Sequence, residues 1–347
     1  ADILELIATT DNYDDLAGCE LVIEDVFEDV GIQAPVTAKT EAVIGDDAIF
    51  ASNTSTLPIT GLAKASKNPE QFIGIHFFSP VDKMPLVEVI VGEQTGEVAI
   101  AQALDYIQQI RKTPIVVNDS RGFYTSRVFG TYSKEGIMML AEGVNPALVE
   151  NVSKHAGMPV GPLAVTDEVS IELSYHVLKM TKEGLGNDYV ASSADGVITK
   201  FIEELDRKGK KSGKGFYDYP EDGRKHLWPG LAEHYPLADE QPDPEEVRKR
   251  ILYVQAIDSV RCMDEGVVTH PADADIGSVF GWGFPPYTGG TISFIETVGL
   301  SKFVAEADRL AEKYGARFAV PDSLRTMAKK GETFYGRADA ESHRSAA

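Results

Sequence analysis

The chain has 347 residues, 43% hydrophobic and 25% charged, with 33 lysines and arginines against 54 aspartates and glutamates. A net charge of −21 argues against generic binding of nucleic acid or anionic membrane, and an anionic substrate would have to be held by local donors. No stretch approaches the roughly 20 apolar residues of a membrane-spanning helix. The two cysteines, Cys19 and Cys262, lie far apart, which fits a reducing cytosol better than a disulfide framework and leaves no zinc spacing visible.

The first ten residues lack a signal peptide's basic start and cleavage site, and no initiator Met precedes them. In chain order, β-rich runs cover residues 21–26, 49–52, 72–78, 86–91 and 113–117, with helical patterns at 35–44 and 98–111. This alternation predicts an α/β domain with a largely parallel sheet. The short connection between Phe78 and Leu86 predicts one antiparallel pair within it. Beyond Asn118 the apolar period becomes helical, at 128–141, 147–156 and 171–182. A polar, Pro-rich stretch at 219–244 reads as a connector. Helices resume at 245–264 and 301–314, and 337–347 reads as a frayed tail.

One unit occurs twice. Glu142-Gly-Val144 leads to Gly157-Met-Pro-Val-Gly-Pro162, and Glu265-Gly-Val267 leads at similar spacing to Gly281-Trp-Gly-Phe-Pro-Pro286. Each copy has a helix, an Asn- or Asp-containing segment (Asn151; Asp273 and Asp275) and a Gly/Pro turn. Duplication of one helical unit accounts for this, with chance recurrence of common turn residues as the alternative.

Chemistry concentrates in Phe72-Ile-Gly-Ile-His-Phe-Phe-Ser-Pro-Val81 and Leu86-Val-Glu-Val-Ile-Val91. Glu88 sits inside an apolar run and shares a strand face with Leu86 and Ile90. A carboxylate there needs a partner, and His76 is the nearest suitable one, across a hairpin. Such a pair fixes the imidazole tautomer and stabilises the imidazolium formed when the ring takes a proton. An ordinary ion pair is the alternative. Upstream, Ser52-Asn-Thr-Ser-Thr56 ends a strand, where open α/β sheets place ligands, although a cap or turn before Ile59 also fits. Residues 118–123 read as the turn and cap of the first long helix. Lys208-Gly-Lys-Lys-Ser-Gly-Lys-Gly-Phe216 is a basic, Gly-rich loop that either stays on the surface or contacts phosphate. No Gly-x-Gly-x-x-Gly occurs anywhere.

In this order the motifs resemble the 3-hydroxyacyl-CoA dehydrogenase family: Ala51-Ser-Asn-Thr-Ser-Thr56, Ile75-His-Phe-Phe-Ser-Pro80 with Leu86-Val-Glu88, Asp119-Ser-Arg-Gly-Phe123 and Lys211-Ser-Gly-Lys-Gly-Phe-Tyr217. The second helical copy looks like the large α-subunit of the bacterial fatty-acid oxidation complex. The resemblance implies a partial Rossmann-type NAD-binding domain (1–118), two repeated helical domains (119–235 and 236–336) and a tail (337–347). It implies His76 as catalytic base with Glu88 as its partner, and Ser55, Ser126 and Phe280 at the substrate. Val26, Phe27, Glu28, Gln33, Ser55, Ser79 and Lys211 would lie at the NAD cofactor. Three positions depart from the family pattern: Ser126 and Ser79 stand where Asn is common, and Gln33 stands in place of a lysine.

The implied activity is NAD-dependent oxidation of (S)-3-hydroxyacyl-CoA to 3-ketoacyl-CoA in cytoplasmic fatty-acid β-oxidation. Implied partners are a thiolase subunit and a fused enoyl-CoA hydratase domain upstream. A non-catalytic scaffold for those partners is the rival motivated by the three departures. A 3-hydroxyacid dehydrogenase using a catalytic lysine is a second. The Gly-rich strand–turn–helix for pyrophosphate is not found ahead of Leu21, so this chain alone is expected to bind NAD weakly.

Overall fold

The protein is described here by a computed structural model, which covers residues 4–345. Five strands, β1 (Leu21–Glu24), β2 (Ile49–Ser52), β3 (Phe72–Phe77), β4 (Leu86–Val91) and β5 (Thr113–Asn118), form one sheet in that order. All neighbours run parallel except β3 and β4. Their connection is too short for a crossover helix, so the chain can only turn back on itself. Helices α1 (Val30–Glu41) and α2 (Ile59–Leu62) link the parallel strands, and α3 (Glu97–Gln109) carries the chain from β4 to β5. The first of these begins at Val30 rather than residue 35, because Asp29 accepts hydrogen bonds from the N–H groups of Gly31 and Ile32.

Strand alternation gives the sheet two different faces. Ile49, Ala51, Ile73, Ile75, Val87 and Val89 close an apolar layer with Ala99, Ala103 and Ile107 of α3. The opposite face carries Glu24, Ser52, His76 and Glu88, all buried. Buried polar groups persist only where they are bonded. Chemistry is therefore to be sought on this second face.

The remaining helices are α4 (Thr125–Ala141), α5 (Pro146–His155), α6 (Pro162–Val169), α7 (Ile171–Leu185), α8 (Ser193–Glu203), α9 (Leu231–His234), α10 (Pro244–Asp264), α11 (Pro271–Trp282), α12 (Thr291–Val298), α13 (Leu300–Tyr314), α14 (Asp322–Lys330) and α15 (Phe334–Ser345). Several were not visible as periodic patterns, α11 among them. The connector expected at 219–244 contains α9 and one strand of a small hairpin, β6 (Tyr217–Asp218) with β7 (His226–Leu227). The tail expected to fray is helical through Ser345. Its first turn is anchored, because the Glu296 carboxylate accepts from Phe334 N–H and Thr333 Oγ1 accepts from Gly336 N–H. Residues 346–347 lie outside the described residues.

Two compact units result. Residues up to Arg127, with Cys262–Trp282, form one; Val128–Arg261 and the chain from Gly283 onward form the other. This grouping cuts across the successive boundaries read from the sequence, because α11 packs on β4 and β5. Glycine permits that approach: a Cβ at Gly277 would lie 2.8 Å from Ile115 Cδ1, and one at Gly281 would lie 3.0 Å from Leu86 Cδ2. The repeat read from sequence is also present in the backbone. Both α4 and α10 end in a left-handed glycine, Gly143 and Gly266. The next residue's N–H turns back five residues, Val144 to Met139 O and Val267 to Cys262 O.

In the second unit, Ile137, Leu140, Leu163, Ile171, Val197, Phe201 and Phe216 share one core. The basic loop ahead of Phe216 does hold an anion, but its own: the Asp167 carboxylate accepts from the N–H groups of Phe216 and Tyr217 at 2.8 and 2.9 Å and from Tyr219 Oη at 3.0 Å. Burial pushes the Asp167 carboxyl up to about 6 against the pull of these donors and Arg207. Lys208, Lys210 and Lys214 each pair with a carboxylate, whereas Lys211 is exposed and makes no ion pair among the described residues.

Candidate active site

The antiparallel register sets His76 directly opposite Glu88. Their side chains meet, Nδ1 to Oε2, at 3.0 Å. Glu88 is fully buried, and its charge is compensated by four donors. Oε1 accepts from the N–H groups of Tyr124 and Thr125, each at 3.0 Å; Oε2 accepts from Thr125 Oγ1 at 2.6 Å and from the imidazole. The first turn of α4 supplies three of these, so Glu88 is the cap of that helix. The cap expected within 118–123 goes elsewhere: Asp119 takes the N–H groups of Ile59 and Thr60 and so caps α2.

With a carboxylate on Nδ1, the ring's proton sits there and the Nε2 lone pair is the free basic position. Nε2 makes no hydrogen bond among the described residues. The ring packs between Phe78, at 4.5 Å between centroids, and Phe123, at 6.1 Å. Asn53 braces the strand end: its Oδ1 accepts from Phe77 N–H and its Nδ2 donates to Asp25.

A second carboxylate lies where β1 and β2 end. Glu28 Oε1 accepts from Ser55 N–H at 2.5 Å, Ser55 Oγ at 2.8 Å and Thr54 Oγ1 at 2.9 Å, and Oε2 accepts from Thr56 Oγ1 at 2.8 Å. Burial pulls the Glu28 carboxyl upward, but the donors from Ser55, Thr56 and Thr54 outweigh it and hold the group below its usual range. The hydroxyl run is thus neither a helix cap nor an open ligand cradle. Because Ser55 gives its proton to Glu28, its oxygen is left to accept.

The other expected residues fall as follows. Phe27 is 66% exposed beside Glu28, and Val26 N–H donates to Glu24. Gln33 is buried and donates its amide to Glu24. Ser79 is exposed just after β3, Ser126 is half-buried in the first turn of α4, and Phe280 is exposed on α11. Lys211 belongs to the second unit. Sequence reasoning missed Tyr124 and Thr125, for which the one available signal was a helix start following a buried acid; Asn53 lay within the run already singled out.

A cleft of about 500 Å³ opens at the carboxyl ends of β1–β3, lined among others by Asp25, Asn53, Asp82, Tyr106 and Lys112. Lys112 is committed to the carbonyls of Val81 and Met84, at 2.5 and 2.6 Å.

Residues 1–120 match the family profile of the 3-hydroxyacyl-CoA dehydrogenase NAD binding domain, and residues 122–219 match that of the 3-hydroxyacyl-CoA dehydrogenase C-terminal domain. The chain belongs to the 3-hydroxyacyl-CoA dehydrogenase family. Among curated relatives, the fatty acid oxidation complex subunit alpha of Shewanella amazonensis is 38% identical over 337 residues, which is 96% of this chain and 47% of the relative. The chain thus spans about half the length of the curated relatives it matches. The 3-hydroxybutyryl-CoA dehydrogenase of Escherichia coli K12 shares the fold, with a TM-score of 0.76 at 22% identity over 92% of this chain and 83% of that one. The dehydrogenase part of multifunctional enzyme 1 from C. elegans gives 0.64 at 27% identity, over 91% and 73%. NAD is the cofactor of the matched N-terminal dehydrogenase domain. No helix among the described residues is long and apolar enough to cross a membrane.

Proposed function

We propose that this dehydrogenase oxidises (S)-3-hydroxyacyl-CoA to 3-ketoacyl-CoA, with His76 as the base. The observation that carries the reading is the His76–Glu88 contact at 3.0 Å, which leaves Nε2 free. Nε2 removes the C3 hydroxyl proton, and Glu88, buried and gripped by α4, stabilises the imidazolium. Ser55 and Ser126 position the reacting oxygen with its proton directed at Nε2, and Phe280 bounds the substrate side; this is an orientation effect. Bound NAD supplies the hydride acceptor for the C3 hydrogen. Glu28, Ser55, Phe27 and Val26 lie on the nicotinamide side, Ser79 follows the catalytic strand, and Lys211 is the uncommitted lysine of its loop.

The whole protein is inferred to be the alpha subunit of a fatty-acid oxidation complex, joined to an enoyl-CoA hydratase domain and working with a thiolase in the cytoplasm. The family resemblance and the naming of the half-matched relatives support this. The test is His76→Ala in the full-length polypeptide. Turnover should fall at least about 1,000-fold with the fold retained by circular dichroism. A folded His76→Ala protein with wild-type kcat would sink the mechanism.

A further inference from the structure

We propose that Thr125 is a positioning residue for the Glu88–His76 pair, set in place by the Gly281 face of α11. The inference rests on His76 acting as base, as above. Thr125 is 1% exposed, and its Oγ1 donates to Glu88 Oε2 at 2.6 Å. That same oxygen takes the imidazole contact. An ionised carboxylate oxygen offers two lone pairs, and these two donors occupy both. The other oxygen is held by two backbone N–H groups, one of them Thr125's own. One residue therefore grips both oxygens, and the carboxylate cannot rotate away from the ring without breaking a bond to it.

What aims the hydroxyl is packing. A threonine side chain is stiff at χ1, so fixing its methyl fixes its hydroxyl. A Cβ built at Gly281 would lie 3.4 Å from Thr125 Cγ2 and 3.7 Å from Phe78 Cε1. Phe78 is the ring that packs on His76. The bare backbone at Gly281 thus lets α11 close on both the residue that holds Glu88 and the ring beside His76. In sequence this stretch is the Gly/Pro turn of the second repeat. In space it backs the reacting pair.

The test compares Thr125→Val, Thr125→Ser and His76→Ala in the full-length dehydrogenase, measuring kcat, KM and the pH dependence of kcat/KM. Thr125→Val keeps the branched shape and loses the donor. It should lower kcat by about ten-fold, leave KM for the acyl-CoA within about two-fold, and move the acidic limb of the profile. Thr125→Ser keeps the donor but loses the methyl that aims it, and should recover most but not all of kcat and bring the profile back toward wild type. A Thr125→Val protein with wild-type kcat and profile would overturn the proposal, as would a Thr125→Ser protein as impaired as the valine variant. Should the valine protein not fold, Thr125→Ala beside Thr125→Ser gives the same comparison. An active His76→Ala would sink the reading beneath. An inactive His76→Ala with an unaffected Thr125→Val would sink this inference alone.

Discussion

Glu88 has two partners with different demands. The first turn of α4 wants an acceptor, and the His76 ring wants a negative charge. In Glu88→Gln one oxygen remains an acceptor and the other becomes an NH2 donor, which must face either a backbone N–H or the ring's Nδ1–H. Against a backbone N–H two donors meet in a buried site, at a cost of about 1–3 kcal/mol; against the ring, the amide turns the imidazole to the tautomer with Nδ1 accepting and the proton on Nε2, which removes the free base. The amide also carries no charge for the imidazolium, so kcat should fall by about 100-fold or more alongside the lost stability. A Glu88→Gln enzyme with a lowered Tm and an unchanged kcat would make the pair purely structural. The pair itself was legible in sequence, because an acid inside Leu86-Val-Glu-Val-Ile-Val91 and a histidine at the end of a neighbouring strand have few other ways to coexist. Its supporting donors were not. They come from Tyr124 and Thr125, 36 and 37 residues beyond Glu88. Only the fold brings that helix start against the sheet.

At the scale of elements, the five strands of the large sheet were legible to within a residue or two because each is bounded by turn residues and alternates or runs apolar, whereas the two-residue strands β6 and β7 are too short to show a pattern. Helices whose start depends on a capping side chain, such as α1 at Asp29, were placed late. The Lys211-Ser-Gly-Lys-Gly-Phe-Tyr217 segment shows how a motif read for ligand contact can serve packing. A Cβ at Gly215 would lie 2.0 Å from Asp167 Oδ1. The segment must wrap the carboxylate closely enough for Phe216 and Tyr217 to donate to it, and only glycine allows this. Gly215→Ala should therefore cost about 3 kcal/mol or more, through overpacking and the loss of donors to a buried acid. Urea denaturation measures this. A loss below about 0.5 kcal/mol would mean that the loop has room to retreat and that the glycine is there for another reason.

For the molecule as a whole, the question is what NAD can hold. The sheet order places β1 at an edge among the described strands, with its only partner in β2. Parallel strands normally have neighbours on both sides and helices on both faces, and an open apolar edge invites association with other chains. Leu21 and Ile23 of that strand are only partly buried. Diphosphate binding in such sheets relies on a glycine-rich turn whose N–H groups open a helix, and the 347 residues contain no Gly-x-Gly-x-x-Gly. The glycine turn is thus the part of a diphosphate site that this sequence does not contain. Calorimetric titration of NAD into the isolated 347-residue chain should give a dissociation constant weaker than about 1 mM, an affinity below about 4 kcal/mol. Light scattering should show the chain self-associating as its concentration rises. A longer polypeptide supplying the glycine turn should bind in the micromolar range. Micromolar binding by the isolated chain would mean that the residues at the ends of β1 and β2 hold the cofactor without a glycine turn, and would overturn this prediction.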